Sequence, residues 1–361
     1  MVQRLLMTAD AVGGVWRYSL DLAGALATRS VTTTLVVMGP APSGSQRQDA
    51  ARAGVRVIDC PHRLEWMEDA DEDVRVAGRC LLDLARRLRP DMVHLNGYVH
   101  AALPWSSPTV VVAHSCVRSW WRAVHGDTVP DRYYDRYTRG VIAGLRAATA
   151  VVAPSEAMGQ ALSDEYAVLR RARVIPNGCA ASPVADLADC LQHKEPIVLA
   201  AGRVWDVAKN IGSLCAVAWN VAWPIYVAGE VCAPDGTTTE LSAVRTLGRL
   251  SCEQMETWYQ RAAIYALPAR YEPFGLSVLE AARAGCALVL GDIPSLRENW
   301  NGAALFVPPD DRLALAAAIQ QLIDRRDLRA EMARRAACRS ARFTLDRMAD
   351  DYLRLYESLV A

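Results

Sequence analysis

Two glutamates, Glu272 and Glu280, bracket Pro273, Phe274, Gly275 and Leu276 within the segment 269–284, ARYEPFGLSVLEAARA. Pro268 and Pro273 interrupt regular structure, and Gly275 lets the backbone come close to a ligand. From about Ser277 the pattern turns helical, with Leu276, Leu279 and Ala282 on one side. Phe274, Gly275 and Leu276 are therefore predicted at a helix N-terminus with free N–H groups pointing outward. There an anion is stabilised by unpaired donors and by the helix dipole together. A carboxylate beside such an anion suits the hydroxyls attached to the anion rather than the anion itself. The ligand this describes is a phosphate with hydroxyl-rich groups on both sides, a nucleotide sugar.

A second group of candidates follows the apolar run that ends in Ala201, Gly202 and Arg203. A glycine at a strand end, then Arg203 and Lys209 six positions apart, fits phosphate binding. The guanidinium can grip two oxygens at once and the ammonium adds a compact charge. The plainer alternative is a pair of surface cations. Earlier, the first apolar run leads into Gly13 and Gly14, which permit a tight turn and a close ligand approach, or simply a strand-to-helix turn. The G-x-G-x-x-G pattern is absent, which counts against a nicotinamide-dependent dehydrogenase. His114 stands at the end of an apolar run, where it is either a ligand contact or a hydrogen-bonded packing residue. His94 precedes the last residue of its own run and is predicted to point into packing. Trp120 and Trp121, between Arg118 and Arg122, can stack on sugar faces or belong to an ordinary loop–helix patch. Asp69, Asp71 and Asp73 imitate a metal-binding D-x-D, but they precede a helix expected from Val74 and read as an acidic helix start.

These side chains need a scaffold. Apolar runs at 5–8, 33–37, 55–58, 92–95, 109–113, 150–153 and 174–175 alternate with amphipathic stretches such as 18–27 and 74–88. After a small, polar linker a second series has runs at 197–201, 225–228, 244–247, 264–267, 287–290 and 304–307. Strand and helix in alternation predict parallel, doubly wound sheets, whose ligands bind beyond the carboxyl ends of the strands. At 361 residues and 52% apolar, the chain can build two domains, each with a core. Lys+Arg and Asp+Glu are both 40, a balance that speaks against nucleic acid as the main partner. The ten cysteines show no C-x-x-C spacing, so they read as small buried residues in a reducing compartment rather than as a zinc site. No apolar run has the length of a membrane span or a signal peptide, so the expectation is a cytoplasmic chain, peripheral at the inner membrane face at most. The basic helix carrying Arg75, Arg79, Arg86, Arg87 and Arg89 would serve such a contact, or is a solvated face.

The stretch E-P-F-G-L-S-V-L-E from Glu272 to Glu280, with G-R-x5-K-N from Gly202 to Asn210, resembles the signature segments of the retaining glycosyltransferases of the glycogen-synthase-like family (family four, group 1). The resemblance implies an α/β GT-B fold, two Rossmann-like doubly wound domains with a cleft between them. The acceptor-side domain would span 1–182, a linker 183–195 and the nucleotide-sugar domain 196–344, with a final helix, 345–361, packing back onto the first domain. The implied reaction moves a sugar from a UDP- or GDP-sugar to a hydroxyl acceptor, with its anomeric configuration kept. The acceptor is a carbohydrate, a lipid-linked group or a small molecule, in polysaccharide or glycolipid assembly. By the same resemblance Arg203 and Lys209 face the diphosphate, as do Gly13 and Gly14 and the amides of Phe274, Gly275 and Leu276. Glu272 takes sugar hydroxyls, Glu280 the ribose, and His114 the transferred sugar. Gly248, with Gly229 and Glu230, holds the nucleoside through backbone groups, and Ser295 reads as a helix cap. Asn96, Trp120 and Trp121 fall on the acceptor side. No cofactor and no divalent metal are expected, because fixed cations meet the developing charge. A GT-B nucleotide-sugar epimerase and a non-catalytic nucleotide-sugar-binding partner are the rivals.

Overall fold

The computed structural model describes residues 1–127, 129, 131–167, 171–180, 191, 193–234 and 236–360, so most of the expected linker lies outside the described residues. The chain forms two compact units, Met1–Gly178 with Leu345–Ala361, and Cys179–Thr344.

The first unit is built on seven parallel strands: β1 (Arg4–Asp10), β2 (Thr32–Met38), β3 (Arg56–Cys60), β4 (Met92–Leu95), β5 (Thr109–Val112), β6 (Ala150–Ala153) and β7 (Arg173–Val174). Their order is β3-β2-β1-β4-β5-β6-β7. The inner strands β1, β4, β5 and β6 are buried on both faces, as in a parallel sheet whose crossover helices cover both sides, while the edge strands β3 and β7 are more exposed. The order reverses direction beside β1, which pairs with β2 on one side and β4 on the other. Ligand crevices in such sheets open at this point.

The final helix, Leu345–Val360, belongs to this unit and packs on the first, Gly14–Ala27. Its buried face holds Met348, Ala349, Tyr352, Leu355 and Tyr356. Leu359, near the end of the helix, is only half-buried. Arg29, just after the first helix, pins the contact through Asp350 (2.6 Å) and Asp346 (3.2 Å).

The second unit has six parallel strands: β8 (Glu195–Ala201), β9 (Ile225–Ala228), β10 (Arg245–Gly248), β11 (Ala262–Leu267), β12 (Ala287–Gly291) and β13 (Leu305–Val307), ordered β10-β9-β8-β11-β12-β13. Alternate residues of β8 feed two cores, Ile197 and Leu199 one and Val198 and Ala200 the other. The order reverses between β8 and β11, whose carboxyl ends carry Arg203 and Glu272 just downstream.

No helix among the described residues is long and apolar enough to cross a membrane. The acidic run opens the helix Asp71–Leu88, with Asp71, Glu72 and Asp73 in its first turn. On that helix Arg75 pairs with Glu72 and Arg86 with Asp83. The cysteines depart from expectation: Cys60, Cys116, Cys179 and Cys286 are buried, but Cys232, Cys252 and Cys338 are exposed.

Candidate active site

In the second unit the site begins where β8 ends. Gly202 and Arg203 lead into a single 3-10 turn, Val207–Lys209, capped by Asp206, whose side chain accepts the Ala208 N–H at 3.1 Å. Arg203 Nη2 donates to the same buried Asp206 at 2.7 Å, and its guanidinium lies over the Trp205 ring. Asn210 closes the turn in the left-handed region, with φ 57°. Its Nδ2 donates to the carbonyls of Pro268 (2.8 Å) and Pro309 (2.7 Å), and its Oδ1 accepts from Ser213 and Arg270 (2.8 Å each). Asn210 thereby fastens the Lys209 turn to the segments after β11 and β13. The Arg270 N–H donates to the Ala208 carbonyl at 2.8 Å and stitches the turn to the loop that carries Glu272.

The outcome is an ion pair, with Lys209 Nζ 2.6 Å from Glu272 Oε2 and both side chains largely covered. The other carboxylate oxygen, Oε1, accepts the N–H of Gly275 (2.9 Å) and of Phe274 (3.4 Å). Those amides were expected to be free. They are engaged instead by the chain's own carboxylate, which the positive end of the helix Leu276–Arg283 attracts. Gly275 adopts φ 89°, open to glycine at little cost, and this turns the chain into the helix. Phe274 offers no side chain to a ligand. Its ring is buried against Phe343, at 5.5 Å between centroids, so its backbone alone can serve a ligand. Ser295 is a second correction. The N-cap of Pro294–Trp300 is Ile293, and the Ser295 hydroxyl donates to the Glu272 carbonyl. One turn later Asn299 Nδ2 donates to the Phe274 carbonyl at 3.3 Å. These two polar side chains, both buried, hold the Glu272–Phe274 loop from behind.

Glu280 lies in the body of the helix Leu276–Arg283 and shares a hydrogen bond with Tyr259. Burial first, and the Glu280 charge second, push the Tyr259 hydroxyl well above its ordinary pKa, so it remains a donor. Tyr265 ties this helix to the end of β8, bonding Ser277 Oγ (2.7 Å) and the Ala201 carbonyl (3.2 Å). The strand ends beside it are bare backbone. The Gly202 N–H bonds the Ala228 carbonyl (3.0 Å) and the Gly229 N–H the Gly248 carbonyl (2.9 Å). A Cβ on Gly229 would lie 1.7 Å from the Gly202 oxygen, so no side chain fits there.

In the first unit, Gly13 is the N-cap of the helix that Gly14 begins, and no side chain caps it. His114, just past β5, places Nε2 2.8 Å from Asn96 Oδ1. Asn96 was expected to meet an acceptor. Its Nδ2 donates to the Thr8 carbonyl (2.7 Å) and Ser19 Oγ (3.0 Å), while Oδ1 faces Nε2 of both His114 and His94 (3.1 Å). An amide has two donors and two acceptor sites, and all four are in use. His94 Nδ1 meets the Tyr356 hydroxyl at 2.5 Å, which brings the final helix into the cluster. Burial holds His94 down to about 4, and burial with the neighbouring His94 holds His114 down to about 3. Both rings are neutral at pH 7. Trp120 and Trp121 sit half-buried beside His125, 6.4 Å apart. Arg118 and Arg122, which flank them, both pair with buried Glu165 (3.3 and 2.5 Å).

Arg203, Lys209, Glu272, Gly275 and Glu280 thus gather at the strand ends of one unit, and His114 stands with Asn96 and His94 in the other. The structural roles of Asn210, Ser295, Asn299 and Tyr259 escaped the sequence reading. The first is adjacent to Lys209, and the next two share a helix face at i, i+4 spacing, signals that become meaningful only once their partners are known. Among the described residues no three His, Cys, Asp or Glu side chains cluster so as to hold a metal ion.

Residues 12–182 match the model of Glycosyltransferase Family 4, and residues 195–325 that of Glycosyl transferases group 1. The glycogen synthase of Mycobacterium tuberculosis is 27% identical over 347 residues, covering 87% of this chain and 83% of the other. Sucrose-phosphate synthase from Thermosynechococcus elongatus superposes with a TM-score of 0.79 at 20% identity over 99% of both chains. HepE from Anabaena, solved with UDP-glucose, superposes with a TM-score of 0.76 at 17% identity, over 99% of this chain and 100% of the other. These structural likenesses establish the fold, which is GT-B.

Proposed function

Because the chain belongs to the glycosyltransferases of family 4 and group 1, we propose that it moves a hexose from a nucleoside-diphosphate sugar to an acceptor hydroxyl with retention of anomeric configuration and without a divalent metal. The carrying observation is the contiguous set of Lys209 Nζ, the Glu272 carboxylate and the Gly275 amide. As the bond from the anomeric carbon to the phosphate oxygen breaks, its electron pair stays on the diphosphate. Lys209, Arg203 and the helix start at Gly275 and Leu276 are fixed positive groups for that charge. The acceptor oxygen bonds to the anomeric carbon on the same face, and its proton passes to the departing phosphate oxygen.

Glu272 binds sugar hydroxyls, Glu280 the ribose, and His114 the transferred sugar. Gly13, Gly14 and Gly248 give the donor a backbone surface. The glycogen synthase relative and the neighbour solved with UDP-glucose support a UDP-sugar donor and a carbohydrate acceptor, hence polysaccharide assembly. The reaction would be cytoplasmic, with at most peripheral membrane contact.

The test is a nucleotide-release screen over UDP-, GDP- and ADP-sugars in EDTA, with and without acceptor, and product anomers read by NMR. Acceptor-dependent release of one nucleotide in EDTA, with a retained anomer, is the expected result. Conversion of the donor sugar without any acceptor would replace the proposal with an epimerase.

A further inference from the structure

The hydrogen bonds around Asn96 have a direction, and the direction can be read. Asn96 Nδ2 lies 2.7 Å from the Thr8 carbonyl, a group that only accepts, so the amide cannot be flipped. The Thr8 hydroxyl, 2.9 Å from the Asn96 backbone N–H, holds the residue from the other side. Oδ1 therefore faces the two histidines, and an amide oxygen can only accept. Each imidazole must place its proton on Nε2. For His94 the remaining nitrogen, Nδ1, then accepts from the Tyr356 hydroxyl, and its Nε2 also lies 3.3 Å from the Tyr18 hydroxyl. For His114 the remaining nitrogen has no hydrogen-bond partner among the described residues. The ring packs edge-on against Tyr18 with centroids 4.5 Å apart, yet part of its surface stays accessible.

We propose that Asn96 is a positioning residue that locks His114 as the Nε2–H tautomer, so that Nδ1 of His114 is a neutral hydrogen-bond acceptor for a hydroxyl of the donor sugar. This rests on the assignment of His114 to the sugar in the proposed function. It specifies the chemistry recognised there. A hydroxyl can donate to Nδ1, whereas a carboxylate has no proton to give and would meet a lone pair, so the sugar group at His114 is an alcohol and not a uronate. Burial reinforces the choice by keeping the ring uncharged at neutral pH.

The full chain, labelled with 15N-histidine, is examined by long-range 1H–15N correlation at pH 7.5. His114 is expected to show a pyridine-type Nδ1 and a pyrrole-type Nε2. A proton on Nδ1 in the free protein overturns the lock whatever the enzyme does. Saturating UDP-glucose is then added. An upfield move of Nδ1 with Nε2 unchanged supports the sugar contact, and a still Nδ1 refutes the sugar assignment of His114 while the lock stands. Asn96→Asp presents a carboxylate to both rings and should draw a proton onto Nδ1 near neutral pH. Donor KM should rise roughly tenfold, the size of one lost hydrogen bond, with kcat changed less. Wild-type tautomer and KM in a folded Asn96→Asp chain would remove the positioning role.

Discussion

Lys209 Nζ lies 2.6 Å from Glu272 Oε2, while Oε1 of the same glutamate takes the Gly275 N–H. One carboxylate thus occupies both a cation and a helix start that a diphosphate would use. On the proposed function, donor entry would be an exchange of partners rather than the filling of an open socket. Lys209→Ala is expected to lower kcat by roughly a hundredfold, the scale of losing one preorganised donor to a developing anion. Steady-state nucleotide release measures it, and a rate close to wild type would take Lys209 out of the mechanism.

Glu280 should behave differently, because the ribose does not change during transfer. Glu280→Ala is expected to raise the donor KM and leave kcat nearly intact. Tyr259→Phe, which removes the hydroxyl shared with Glu280, should shift KM in the same direction by less. An unchanged KM in Glu280→Ala would end the ribose assignment.

The Ser295 hydroxyl holds the Glu272 carbonyl from outside the ligand surface. Ser295→Ala is expected to cost about 1 kcal/mol, visible as a Tm lower by about 2–4 °C. It should also lower kcat, since Glu272 loses its support. A fall in Tm with kcat unaltered would show that the loop keeps its shape without Ser295.

The neutral histidine pair makes stability depend on acidity. Free imidazole titrates near 6.5, whereas His94 is held to about 4 and His114 to about 3. Between those values the unfolded chain binds protons that the folded chain refuses. Stability should fall as pH drops below about 6.5, by up to about 1.4 kcal/mol per pH unit for each histidine, and the fall ends as the folded values are passed. Glu65, raised by burial, acts in the opposite sense where it titrates. Urea midpoints at pH 7.5, 6.5 and 5.5 test this, and a flat profile would mean that the folded rings take up protons.

The strands were legible because a parallel sheet buried on both faces leaves uninterrupted apolar runs. β4, β6 and β9 begin and end at the residues the pattern marks. The gathering of Lys209, Gly275 and Glu280 at the strand ends of one unit was legible because glycines, charges and a helix start follow two apolar runs within short spans. The roles of Asn96 and Ser295 were not. Each looks like a surface or capping residue until its partners arrive, Thr8 and His114 for one and the Glu272 carbonyl for the other. Free amides at Phe274 and Gly275 were misjudged for a related reason. Sequence spacing shows that donors exist, but not that a neighbouring carboxylate folds over them.

The final helix, Leu345–Val360, supplies Tyr352 and Tyr356 to the unit that starts at Met1. During synthesis, Cys179–Thr344 leaves the ribosome before that helix does. The unit translated first is therefore the one completed last, and until then Tyr18 on the first helix and His94 on β4 stand without their cover. A chain truncated after Thr344 and released should bind chaperones through that face, although its second unit is whole.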